Sequence, residues 1–280
     1  MTVDKGYVEA SIDPNINLVD EINRLKKEKR AVIMAHYYTR GEIQDIADVI
    51  GDSLALAQKA VNVDADIILL AGVHFMGETV KILNMDKKVL VPDLNAGCSL
   101  ADSCKATDLK AFIDSHPDHT VVSYVNTTAD VKALTDIVVT SSNALKVVNS
   151  FPEDTKIIFG PDKNLGSYIN AQTGRNMLLW DGCCHVHARF SLEHILELKK
   201  ENPNAEIICH PECKRPIVLD SDFVGSTAAM LSHIKDSSAD TFIVATEEGI
   251  LHQMKQSFPN KTFIPAPPEL ETGMCGCNTV

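Results

Sequence analysis

One pattern occurs three times along this chain, and each copy runs toward a cysteine. The first copy is AVIMAHYYTRGEIQDIADVIGDSLALA, from Ala31 to Ala57. The second, TVVSYVNTTADVKALTDIVVTSSNAL, spans Thr120 to Leu145, and the third, EIICHPECKRPIVLDSDFVGSTAAML, spans Glu206 to Leu231. His36, Tyr124 and His210 align at offsets of 88 and 86 residues. Two positions on stand Tyr38, Asn126 and Glu212; twelve on stand Asp48, Asp136 and Asp222; seventeen on stand Ser53, Ser141 and Thr227. The register holds without a gap. Cys98 and Cys184 close the first two repeats, and Cys275 or Cys277 closes the third. A threefold repeat sets equivalent residues around one axis, so three polar clusters and three thiols should converge on one site.

At 280 residues the chain exceeds one ordinary core and should divide into subdomains. The repeat places them at 1–113, 114–198 and 199–280. This period is too long for a solenoid. A net charge of −12 argues against a general nucleic-acid binder or a protein held to anionic membranes, though a local pocket can still be positive. No apolar N-terminal run and no 18-residue apolar stretch occurs, which points to the cytoplasm. In that reducing compartment, eight cysteines suggest metal ligands before disulfides. Cys104 and Cys209, the latter in the apolar run IIC, read instead as small buried hydrophobes.

Short apolar runs alternate with helical patterns. Ile16 to Arg30 reads as an amphipathic helix with Ile16, Val19, Ile22 and Leu25 on one face. AVIMAHY, ADIILLAG and KKVLVPD read as the strands of the first repeat; GEIQDIADVIGD, SLALAQKAV and GETVKILN read as its helices, the first ending near Gly51. The later repeats supply TVVSYVN, KIIFGPD and NMLLWDG, then EIICHPE, TFIVAT and TFIPAPP, as strands. Continuous apolar strands between helices indicate parallel sheets covered on both faces. The expected fold is α/β: three homologous three-layer α/β/α subdomains with parallel sheets around a pseudo-threefold axis.

Open α/β sheets bind ligands beyond the carboxyl ends of their strands. His36 and Tyr38, Tyr124 and Asn126, and His210 and Glu212 hold that place in the three repeats. Together they would line a cavity with imidazole, phenol, amide and carboxylate groups, a set suited to acid/base work. Ser53, Ser141 and Thr227 each precede an apolar helix-like run. Such hydroxyls cap helices, and a helix N-terminus also binds phosphate or carboxylate. The glycines form neither a dinucleotide fingerprint nor a P-loop.

The cysteines stand almost 90 residues apart, unlike the tight local sets of zinc ribbons and ferredoxins. Three thiolates around an axis match three corners of a [4Fe–4S] cluster with the fourth iron open, as a Lewis acid requires. Zinc held by three cysteines and water is the competing reading.

These residues carry a resemblance. AHYYTRGEIQDIADVIGDS, SYVNTTADVKALTDIVVTSSNA, DGCCHVH, HPEC and FVGSTAAM are similar to the motifs of the quinolinate synthases, and the similarity runs on to FIPAPPELETGMCGC. That family joins iminoaspartate to dihydroxyacetone phosphate in NAD biosynthesis, on three α/β subdomains around one [4Fe–4S] cluster. The resemblance implies Cys98 and Cys184 as cluster ligands, its G-x-C-x-V-H pattern selecting Cys184 over Cys183. It implies His36, Ser53, Tyr124, Asn126, Ser141, His210, Glu212 and Thr227 as substrate contacts. Tyr38 and His187 match further active-site positions; Tyr38, His187, His210 and Glu212 are the expected catalytic groups. An aspartate-oxidising enzyme would supply the short-lived imine, and no stable protein partner is implied.

The third ligand is expected at Cys277, with Cys275 the alternative. Family members usually continue as C-P-x-M-x-x-N-T-L, whereas this sequence reads CGCNTV with Val280 near where some relatives carry another cysteine. Two further readings stay open: a non-catalytic iron–sulfur redox or sensor protein, and an inactive truncated homologue.

Overall fold

The computed structural model describes residues 5–8 and 11–268. The chain forms two compact units, one of the described residues up to Cys98 and one of those from Ser99 on.

The first unit holds one four-stranded sheet: β1 (Ala31–His36), β2 (Val49–Gly51), β3 (Ile67–Ala71) and β4 (Lys88–Leu90), in the order β2-β1-β3-β4. All its pairings are parallel. The second unit holds two sheets. One is built from β5 (Thr120–Tyr124), β6 (Ile137–Val139), β7 (Ile157–Gly160) and β8 (Leu178–Leu179), ordered β6-β5-β7-β8. The other is built from β9 (Glu206–Cys209), β10 (Phe223–Val224), β11 (Thr241–Ala245) and β12 (Thr262–Pro265), ordered β10-β9-β11-β12. Both are parallel throughout. Three parallel sheets with interleaved helices and one repeated strand order are the α/β fold that the sequence pattern implies.

Burial follows the reason given for the apolar runs. The middle strands lie under helices on both faces, so successive residues are buried instead of alternating. Ile157, Ile158 and Phe159 in β7 and Phe242, Ile243 and Val244 in β11 are almost wholly inaccessible. The thiols of Cys104 and Cys209 join this packing, Cys104 beside Leu109 and Val131 and Cys209 beside Ile207 and Ile243. Both behave as the small hydrophobes expected of them.

Two expectations need correction. The first helix covers Leu18–Glu28, shorter than Ile16–Arg30, because the Asn17 side chain accepts the backbone N–H groups of Val19 and Asp20 and starts the helix there. The second matters more. GEIQDIADVIGD is not one helix: the helix stops at Ile46, and Val49–Gly51 is a strand. Asp48 is the cause. Its backbone N–H donates to the Ile33 carbonyl at 2.8 Å, and its carboxylate accepts the Ile33 N–H at 2.8 Å. That reciprocal pair draws the chain out of helical geometry and starts it alongside β1. Asp136 does the same to Val121, and Asp222 to Ile207. Among the described residues each repeat therefore has four strands, not three.

Candidate active site

In the second unit, β9 ends at Cys209 and the chain turns through His210, Pro211 and Glu212. The turn is held by His210 N–H donating to the Ala245 carbonyl and Cys213 N–H donating to the His210 carbonyl. Asn164 Nδ2 donates to the Glu212 carbonyl at 3.0 Å. The Glu212 carboxylate is thus fixed at the carboxyl end of the sheet, where the strand-end rule places it.

Around it a buried network closes. Glu212 Oε2 lies 2.7 Å from His187 Nδ1 and 3.5 Å from His210 Nδ1. The two imidazole rings stack with centroids 4.7 Å apart. His187 Nε2 meets Thr246 Oγ1 at 2.9 Å, and His187 Nδ1 lies 3.2 Å from Cys184 Sγ. On the far side, His210 Nε2 meets Ser141 Oγ at 3.2 Å. Tyr124 hydrogen-bonds toward Glu212. The second repeat's Tyr124, Ser141, Cys184 and His187 are therefore joined to the third repeat's His210 and Glu212.

The electrostatics of this cluster pull in opposite directions. Burial acts to raise the Glu212 carboxyl, but His210, His187 and the Tyr124 hydrogen bond outweigh it and hold the group down at about 2. Burial, reinforced by the charges of Glu212 and Asp162, pushes the Cys184 thiol well above its usual range. A thiol beside two buried carboxylates ionises readily only with a cation at hand. Cys184, His187 and Glu212 also hold donor atoms within 4.8 Å of one another, a group that can hold a metal ion. The donor set fits a metal.

Two buried oxygens, Glu212 Oε1 and Asn126 Oδ1, have no hydrogen-bond partner among the described residues. Orphaned acceptors of this kind are costly unless a ligand or a bound group satisfies them. Thr227 is buried as the first residue of the helix Thr227–Asp236. The cap of that helix is Ser226, whose hydroxyl accepts the Ala229 N–H and is joined by Ser142 Oγ at 3.0 Å. Asp52 likewise caps the helix Ser53–Asn62 by accepting the Ala55 N–H. Capping therefore belongs to the residues before Ser53 and Thr227, which corrects the expectation that these hydroxyls cap. Ser141 also stands ahead of its helix, Ala144–Ser150.

In the first unit, His36 closes β1 and its Nδ1 accepts the Tyr38 N–H at 3.1 Å, as His210 Nδ1 accepts the Glu212 N–H at 3.4 Å. The His36 and Tyr38 rings meet edge-on, 4.5 Å between centroids. Loss of solvation lowers the His36 pKa to about 4, against a small opposing pull from Asp52. Ser53 follows Asp52 at the helix start, and Cys98 lies half-buried after β4. Cys275 and Cys277 lie outside the described residues.

Sequence reasoning missed Asp162, Asn164 and Thr246. Asp162 and Thr246 sit just beyond the carboxyl ends of β7 and β11, so the strand-end rule finds them once it is applied to every strand and not only to the first of each repeat.

Residues 20–280 match the family model described as "NadA: Quinolinate synthetase A protein". The chain belongs to the quinolinate synthetase A family. Among curated members, the quinolinate synthase of Thermosynechococcus vestitus is 56% identical over 263 residues, covering 94% of this chain and 82% of the relative. The quinolinate synthase of Synechocystis sp. is 56% identical over 262 residues, covering 94% and 81%. The quinolinate synthase of Trichormus variabilis is 55% identical over 263 residues, covering 94% and 80%. As a quinolinate synthetase A family member, the chain is an enzyme of the quinolinate synthase type. Among the described residues no helix is long and apolar enough to cross a membrane.

Proposed function

We propose that this enzyme condenses iminoaspartate with dihydroxyacetone phosphate to give quinolinate, phosphate and two waters, in the cytoplasm and within NAD biosynthesis. The observation that carries the reading is the buried His187–Glu212–His210 arrangement beside Cys184, in a chain of this family. Two imidazoles bracketing one carboxylate are groups that can take and return protons while water is excluded.

The proposed residue roles follow the network. Glu212 and His210 move protons to and from the condensing carbons, with His187 holding Glu212 in place. Tyr38 serves proton transfer near the three-carbon substrate. Ser141, Thr227 and Asn126 bind carboxylate or phosphate oxygens; the orphaned Asn126 Oδ1 and Glu212 Oε1 support a polar ligand here. His36, Ser53 and Tyr124 complete the substrate contacts. The repeats 1–113, 114–198 and 199–280 are proposed as the three subdomains. Cys98, Cys184 and Cys277 are the proposed ligands of a [4Fe–4S] cluster, which would supply a Lewis-acidic iron with an open position. The short-lived imine is proposed to come from an aspartate-oxidising enzyme.

Anaerobically prepared protein, given both substrates, is expected to release quinolinate. Glu212→Gln should lower the rate by at least roughly a hundredfold while leaving the visible spectrum of the bound cluster unchanged. Full activity in that variant would remove Glu212 from the proton path.

A further inference from the structure

The loop DGCC, from Asp181 to Cys184, is fastened to the end of β7 by one residue that the catalytic reading does not use. Asp162 follows Gly160 and Pro161, is wholly buried, and its carboxylate accepts backbone hydrogen bonds from Leu165, Cys184 and Asn164. Oδ1 accepts the Leu165 N–H at 2.7 Å and so caps the helix Lys163–Thr173. Oδ2 accepts the Cys184 N–H at 2.9 Å. Beside it, Lys163 N–H donates to the Gly182 carbonyl at 2.8 Å, and Asp162 and Gly182 form an isolated parallel bridge. The approach is close enough that only glycine fits. A Cβ on Gly182 would come within 2.5 Å of the Pro161 carbonyl oxygen and 2.6 Å of Ser103 Oγ.

The first repeat shows what Asp162 adds. There His74 N–H donates to the Ala96 carbonyl at 2.8 Å, and Cys98 stands two residues after Ala96, as Cys184 stands two after Gly182. The main-chain dock is the same, but the residue in Asp162's place is Val73, which caps nothing. The carboxylate is therefore not needed to bring the loop to the strand end. Its second oxygen is spent on the amide of the cysteine itself.

We propose that Asp162 is a positioning residue for Cys184, holding the backbone of a metal-ligating cysteine through Oδ2 while Oδ1 caps the adjacent helix. The proposal rests on the reading that Cys184 holds the cluster. It assigns a role to the Asp162–Gly182–Cys184 constellation that is separate from acid/base chemistry, since Asp162 touches no reacting group.

The two oxygens can be separated by substitution. Asp162→Asn keeps an acceptor for Leu165 but turns an amide donor toward the Cys184 N–H, so the cap survives and the cysteine bond does not. Asp162→Ser also caps well but is too short to reach Cys184. Whole protein carrying each change, and Cys184→Ser, would be purified anaerobically. Three quantities are read: thermal midpoint, rate of iron release to a chelator, and hydrogen exchange at the Cys184 amide. Both Asp162 variants should remain folded, melting a few degrees below the parent for the one amide left unmatched, yet release iron on the order of tenfold faster and exchange the Cys184 amide faster. Cys184→Ser should not retain the parent's iron. Parental iron release and exchange in Asp162→Asn and Asp162→Ser, with iron lost in Cys184→Ser, would overturn the positioning role and leave Asp162 as a helix cap. Full iron in Cys184→Ser would instead overturn the ligand reading, and the proposal with it.

Discussion

Glu212 gathers most of the site's chemistry because its neighbours hold both its backbone and its side chain. Its carbonyl is held by Asn164, its amide by His210, and its Oε2 by His187, so the carboxylate has little freedom left. A group with so few alternative positions loses little entropy when a substrate arrives. The hydroxyl residues divide differently. Ser226 caps its helix, whereas Thr227, one residue on, is buried and does not. Ser226→Ala should therefore cost about 1 kcal/mol of stability in denaturant titrations. Thr227→Val should leave stability near the parent value and raise KM for the anionic substrate. At this scale the strand-end positions of His36, Tyr38, Tyr124, His210 and Glu212 were legible in the sequence because three copies of one strand end can be compared. The caps were misassigned by one residue, since Ser-Thr and Asp-Ser pairs offer two candidates and only backbone geometry decides between them. Asp162 lacked such a signal: its counterpart in the first repeat is Val73, so the repeat does not mark it.

The repeated aspartates show what the elements required of the sequence. Asp48, Asp136 and Asp222 share the register of the site residues, yet they act at the other end of the strands, each exchanging two hydrogen bonds with a residue near the start of the repeat's first strand. Repetition marks architecture as readily as chemistry. Asp136→Ala is expected to cost about 1–2 kcal/mol by leaving the Val121 N–H unmatched. The rate at saturating substrate should stay at the parent level, and a large fall in turnover without a fall in stability would contradict the structural role. These aspartates also explain why β2, β6 and β10 were hidden. Each is two or three residues long and follows a helix without a glycine or proline between them, so periodicity runs straight through the boundary. A tertiary hydrogen bond ends the helix, and no local pattern reports it.

For the molecule as a whole, the repeated strand order is the strongest sign that one ancestral plan was used three times: β2-β1-β3-β4, β6-β5-β7-β8 and β10-β9-β11-β12. Apolar periodicity and chain length were enough to read that plan as parallel α/β, because doubly covered strands leave continuous apolar runs. What periodicity could not convey is how the network crosses from one repeat to the next: Ser141 to His210, and Cys184 through His187 to Glu212. Those links depend on side chains that are far apart in sequence and on an identical strand order that sets them level. The central claim is that this network serves an iron–sulfur enzyme making quinolinate. Iron and acid-labile sulfide should be quantified in anaerobically purified protein and set beside quinolinate formation by the same sample. The account predicts about four irons and four sulfides per chain in a brown, active preparation. A folded, colourless protein that retains no iron yet makes quinolinate would contradict it.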